Sequence, residues 1–138
     1  MKEIQFRERA VAATWKRYDD RHFDWSKSAT CIHMLRFHAA QMGHKLPIVP
    51  RFRSAFGAKR ALLETGYKTL PDLLDAHFGR IGPAFMRLGD VMAFPGDAGF
   101  ESLVIRASTN KWIGWHEDAD GCSILDADMN GAIGAWRL

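Results

Sequence analysis

The sequence has little from which to build a covalent or metal-held framework. It has two cysteines, Cys31 and Cys122, in 138 residues, too few for a disulfide scaffold. A single Cys31–Cys122 bridge is conceivable, but nothing in the sequence points to an oxidising compartment. Neither cysteine has a companion at CxxC or CxxH spacing, so no metal site is expected, and no cofactor motif is apparent. No run approaches the roughly 18 apolar residues of a membrane helix, so no membrane span is expected. The stretch from residue 1 to Tyr18 is dense in Lys, Arg and Glu and lacks a continuous apolar core, so it does not read as a secretory signal. Repeats and low-complexity segments are also missing.

Acidic residues are scarce in the first part of the chain. Residues 1–60 carry thirteen Lys/Arg against five Asp/Glu, whereas residues 61–138 carry six against eleven. The overall charge of +3 therefore hides a half of +8 and a half of −5. Such a basic half suits nucleic acid, an anionic cell-wall polymer, an acidic protein surface, or the acidic half of a neighbouring copy. The cations are spread along the chain, the pattern of solvated helix faces. The five Trp and nine Phe form no aromatic strand motif within a basic stretch, so nucleic acid is not an expected partner.

What is present reads as one folded domain over residues 1–138, with 47% hydrophobic and 25% charged residues, the balance of an ordinary globule. Ile4, Val11, Trp15 and Tyr18 recur at helical spacing, and Asp19-Asp20 ends that helix. An aromatic loop with Phe23 and Trp25 follows. Ser28 or Thr30 can cap a second helix that starts at Cys31 and closes at Gly43; Cys31, Met34, Leu35, His38 and Met42 share its inward side. Phe56 to Glu64 reads as a short helix stopped by Gly66, and Thr69 caps another that begins at Leu70. After Gly79 the texture changes to short strands: Val91–Phe94, Leu103–Ile105, Lys111–His116, Ser123–Leu125 and Ala132–Arg137. Helices first and an antiparallel meander second make an α+β layout.

Cys31 is the residue with chemical potential. A helix N-terminus carries partial positive charge and unpaired N–H groups, and both favour thiolate over thiol. The plainer use of such a cysteine is packing, since free Cys is among the most buried residue types.

The order of motifs around it resembles NlpC-type papain-like peptidoglycan hydrolases. The order is Phe23-Asp24-Trp25-Ser26, then Cys31 opening a buried helix, then Gly89-Asp90-Val91-Met92-Ala93-Phe94 leading into strands. The resemblance spans roughly residues 8–138. It is closest to a branch found in phage and prophage tail modules, whose members also end in a motif like Ala135-Trp136-Arg137-Leu138 and carry a helical insertion, here residues 44–80. It implies a papain-like fold, N-terminal helices packed on a C-terminal antiparallel sheet.

Three positions depart from the family pattern. Ser26 stands for a Gly and Thr30 for an Asp. Ser102, at the start of the strand after Gly89-Asp90, stands for the catalytic His. A cysteine nucleophile needs a base to take its proton and return it to the leaving group. Ser102 cannot serve. Glu101 can if strand alternation turns it toward Cys31. His116 lies on the strand that in the family supplies the third polar catalytic residue. His33 lies two residues from Cys31 on the same helix, and His38 stands about 10 Å further along it.

The resemblance and its gaps together imply a phage or prophage tail-tip or tail-assembly protein with a degenerate hydrolase site. Its partners would be other tail proteins, met through aromatics such as Trp25, Trp112 and Trp115, and also peptidoglycan. It would be made in the bacterial cytoplasm and assembled into a virion tail. The alternative is an active cysteine endopeptidase on peptidoglycan stem peptides, with Cys31 as nucleophile and His116 or Glu101 as partner. A nucleic-acid-binding module using the basic half is the third reading.

Overall fold

In the computed structural model, residues 3–47, 49–96, 100–115 and 121–138 are described. Four helices come first: α1 (Glu3–Tyr18), α2 (Cys31–Gln41), α3 (Ala55–Thr65) and α4 (Leu70–His77). Local chemistry sets their ends. Thr30, Ser54 and Thr69 each stand in extended backbone and accept an N–H of the following first turn through the side-chain oxygen, which satisfies a donor the helix itself cannot pair. Of the two caps the sequence offers for α2, Thr30 is the one used, while Ser28 sits in a left-handed turn. Gly66, at φ +107°, closes α3 as a residue without Cβ does at no steric cost.

The strands are β1 (Gly79–Ile81), β2 (Val91–Phe94), β3 (Ser102–Ser108), β4 (Lys111–Gly114), β5 (Ser123–Leu125) and β6 (Gly134–Arg137). They form one sheet in the order β1-β6-β2-β3-β4-β5, with every pairing antiparallel. The expected meander therefore holds for β2 to β5 but fails at its end. The chain leaves β5 at the edge, crosses back, and inserts β6 between β1 and β2. Strand β1 was not expected: three residues, Gly79-Arg80-Ile81, show no alternation to reveal them, and they form a strand only because β6 lies beside them.

The sheet is covered on both faces. Val91, Ala93, Leu103, Ile105, Ile113 and Trp136 face the helices and join Ile32, Leu35 and Leu74 in the main core. Met92, Val104, Trp112 and Ala135 face the other way and pack with Met86 in a smaller cluster. Period-two alternation along β2, β3 and β4 produces this division.

Two buried polar groups join the layers. Asp90 is fully buried; its Oδ1 accepts from Arg7 Nη1 on α1 and from the Leu138 N–H, both at 3.0 Å, and its Oδ2 accepts from the Arg87 N–H at 2.8 Å. Arg137 Nε stands 2.8 Å from the same Oδ2. Arg7 also donates to the carbonyls of Leu88 and Leu138, each at 2.8 Å. The Gly89-Asp90 motif is thus a clamp holding α1, the approach to β2 and the end of β6. Gly89 has φ +87°, and a Cβ there would stand 3.3 Å from Met42, so the clamp needs glycine.

The second group is His38, fully buried on α2. Its Nε2 lies 2.8 Å from the Gly89 carbonyl and its Nδ1 lies 2.8 Å from Thr14 Oγ1. A carbonyl only accepts, so Nε2 carries the proton, while Thr14 Oγ1 stands between Nδ1 and the Ala10 carbonyl, which accepts from the same hydroxyl at 3.0 Å. Burial favours the neutral imidazole and depresses its pKa to about 4.

Candidate functional site

The site is built where α2 begins. Asp24 accepts the Ser26 N–H at 2.8 Å and the Ser26 hydroxyl at 2.7 Å, which winds residues 25–27 into a short 3-10 turn and sets Trp25 on one wall. Ser26, where the family pattern has Gly, is therefore part of the loop's own lock. Trp25 packs at 5.1 Å from Phe23 and 5.3 Å from Phe100, and Phe23 lies 5.5 Å from Trp115. The Trp115 indole N–H donates to the Arg21 carbonyl at 2.8 Å. These rings, mostly edge-to-face, support one another and form one side of a cleft of about 890 Å³. Thr30, Cys31 and Ser102 line it, as do Asp126 and Asp128 on the connection from β5 to β6.

Cys31 is not exposed as a nucleophile would be. It is 8% accessible, and its Sγ is wedged against the β3 backbone, accepting from the Leu103 N–H at 3.5 Å and standing 3.8 Å from the Leu103 carbonyl. Burial pushes its pKa up to about 11; the Leu103 N–H and the Ser102 hydroxyl beside it only partly oppose that shift. The helix N-terminus was expected to favour thiolate; desolvation outweighs it. Cys122 is also buried and free, raised to about 12 by burial first and then by Cys31 and Asp19. The two cysteines are not bridged.

The expected partners are distributed differently from the sequence reading. Ser102 does lie beside the thiol. Glu101 does not act on it: its Oε1 accepts the N–H of Leu70, the first residue of α4, at 3.1 Å. Glu101 also lines the cleft, but its carboxylate is engaged by the start of α4 and not by the thiol. His116 lies outside the described residues.

Of the described histidines, none hydrogen-bonds Cys31. His33 Nδ1 stands 2.8 Å from Thr30 Oγ1 with its ring against Phe52. His38 serves the core, and His44 and His77 pack on Phe78 and Tyr67. His22 reaches the cleft wall.

Trp25 and Trp115 line the cleft, but Trp112 is a correction. It is 1% exposed and belongs to the smaller cluster on the far face, with the Arg106 guanidinium 5.7 Å from its ring. It alternates with Ile113, which faces the helices, so it cannot share the surface of Trp115. Phe100, Asp126 and Asp128 were missed. They carry no motif of their own, and only the return of the chain from β5 to β6 brings the two aspartates to the cleft. Among the described residues no group of acids, histidines and cysteines is arranged to hold a metal ion, and no helix is long and apolar enough to cross a membrane.

A family model described as Domain of unknown function (DUF6950) matches residues 2–138. No curated protein sequence matches the chain. Solved structures share its fold. An NlpC/P60 family protein from Bacillus cereus superposes with a TM-score of 0.59 at 13% identity, covering 94% of this chain and 39% of that one. RipD from Mycobacterium tuberculosis, described as a non-catalytic NlpC/p60 domain protein adapted to peptidoglycan-binding function, gives 0.53 at 14% identity over 96% and 97%. The peptidoglycan hydrolase RipB from the same organism gives 0.56 at 16% identity, covering 99% of this chain and 68% of that one. The fold is therefore the α+β papain-like fold of NlpC/P60 domains, of which this chain spans about two fifths of the Bacillus cereus protein's length. At these identities the likeness concerns the fold alone.

Proposed function

This chain belongs to the DUF6950 family, and we propose that its NlpC/P60-type cleft binds its ligand without cutting it. The observation that carries this is the environment of Cys31: a buried, protonated thiol held by the Leu103 backbone, with Ser102 where the family pattern calls for the base. A thiol with a pKa near 11 supplies almost no nucleophile at neutral pH. The pocket beside it is intact and aromatic, the usual character of a recognition surface.

The ligand class is the peptidoglycan stem peptide. RipD supports this, as a domain of the same fold described as non-catalytic and peptidoglycan-binding. The biological setting is a phage or prophage tail tip, where the domain is a structural component among other tail proteins and meets the wall during attachment. That setting follows from the motif resemblance, and the basic and acidic parts of the chain suit protein contacts in such an assembly.

Retention on insoluble peptidoglycan tests the reading. Wild type and Cys31→Ser are retained equally and release no soluble muropeptides, while Trp25→Ala and Trp115→Ala reduce retention. Muropeptide release that disappears in Cys31→Ser would establish the hydrolase instead. The tail setting is checked by finding the protein at a fixed small copy number in purified virions; its absence there removes that part.

A further inference from the structure

Helix α3 carries an unusual outer face. Phe56 and Leu63 are 72% and 56% exposed. They lie seven residues apart, with Lys59 and Arg60 three and four residues after Phe56, so all four project from one side. Lys59 and Arg60 are exposed and form no ion pair with a described residue. The opposite side of the same helix, Ala58, Ala61 and Leu62, is buried. The helix is thus pinned to the body, and the Phe56 face cannot fold back into its own chain's cleft.

That cleft is the counterpart of the face. Its lining includes the aromatic rings of Phe23, Trp25 and Trp115 and the acidic side chains of Asp126 and Asp128, and its volume of about 890 Å³ has room for a phenyl ring. The face combines apolar side chains with cations; the cleft lining combines aromatic rings with acidic side chains. The two belong to the +8 and −5 parts of one sequence.

We infer that the Phe56–Leu63 face of one copy docks in the cleft of another, so that self-association covers the binding surface and ligand competes with it. The inference rests on the reading of this cleft as a binding site. Opposite charges set the register and speed the encounter, and the apolar pair supplies the burial. Asp126 is now paired with exposed Lys111 at 2.9 Å, an interaction of little strength in water, so exchanging it for Lys59 or Arg60 of the incoming copy costs little.

Charge reversal in the full chain tests this by sedimentation. Wild type is expected to associate with rising concentration, less so in high salt. Lys59→Glu/Arg60→Glu and Asp126→Lys/Asp128→Lys are each expected to associate at least about tenfold more weakly, since each brings like charges together. An equimolar mixture of the two restores association, because every face then meets a cleft of opposite charge.

Asp128 Oδ1 also accepts the Asn130 N–H, so Asp126→Lys alone provides a version that spares this cap. A wild type that stays monomeric overturns the inference, as does association unchanged by either reversal, or a mixture of two folded variants that stays apart. Binding of the Phe56 face to anionic phospholipid vesicles by a monomeric wild type would assign the face to a lipid surface instead. Lys59→Glu/Arg60→Glu leaves the cleft intact, so its retention on peptidoglycan separates the two ideas. Retention with unchanged association sinks only the docking; loss of retention by wild type sinks the binding reading.

Discussion

His38 offers the most quantitative test of the structure. The perturbation is acid. Folded, the ring is fully buried, and burial holds it neutral with its Nε2 proton on the Gly89 carbonyl. Unfolded, it titrates near the ordinary value of 6.5, and folded near about 4. Between these values the unfolded chain binds the extra proton, so stability falls as pH falls.

The contribution is fully present above pH 6.5 and is lost by about pH 4. A tenfold difference in proton affinity between the folded and unfolded chain is worth about 1.4 kcal/mol, so the gap between these two values makes the loss about 3 kcal/mol. His33 and His44 are also held below their ordinary values, chiefly by burial, and they tilt the same curve in the same direction. The clean measurement is therefore a difference. Urea unfolding of wild type and His38→Gln is followed from pH 8 to pH 4. Glutamine keeps one donor and one acceptor and does not titrate, so its cost is the same at every pH. The gap between the two proteins should close by about 3 kcal/mol on acidification. Parallel curves would refute the buried neutral ring.

Two further outcomes follow from the same structure. Alkylation of Cys31 by iodoacetamide at neutral pH should be slow in the folded protein and rise sharply on unfolding, because at a pKa of about 11 only about one thiol in ten thousand is ionised; fast alkylation of folded protein would show an active thiolate. Asp90→Asn should destabilise the fold by about 3–5 kcal/mol in denaturant unfolding, since it leaves the Arg7 guanidinium, otherwise buried against Asp90, with only the exposed Glu3 carboxylate as counter-charge; a change below about 1 kcal/mol would mean the clamp is incidental.

Much of the local architecture was legible in the residues. Thr30 and Thr69 mark helix starts through their hydroxyls, and Gly66 marks a helix end through its backbone freedom. The strand Ser123–Leu125 appears where expected. The motifs Gly89-Asp90 and Ala135-Trp136-Arg137-Leu138 signalled the fold, although their roles here are packing and ion pairing: Trp136 is fully buried and donates to Asp75 at 2.8 Å.

Determined by sequence alone were the helix ends at Gly66 and Thr69, the count of cysteines and the division of charge. These depend on residue type and near neighbours, so short-range chemistry settles them. Tertiary structure decided the rest. It placed β6 between β1 and β2, tied the Glu101 carboxylate to the start of α4, hid Trp112 while leaving Trp115 on the wall, and brought Asp126 and Asp128 to the cleft lining. Each of these depends on which strand lies beside which and on which face a one-residue step presents. The state of Cys31 belongs with them. A helix start offers it positive potential, but its pKa is ruled by how much water reaches the sulfur, and that is set by packing against β3, whose Leu103 N–H, seventy-two residues away in the chain, only partly offsets the burial.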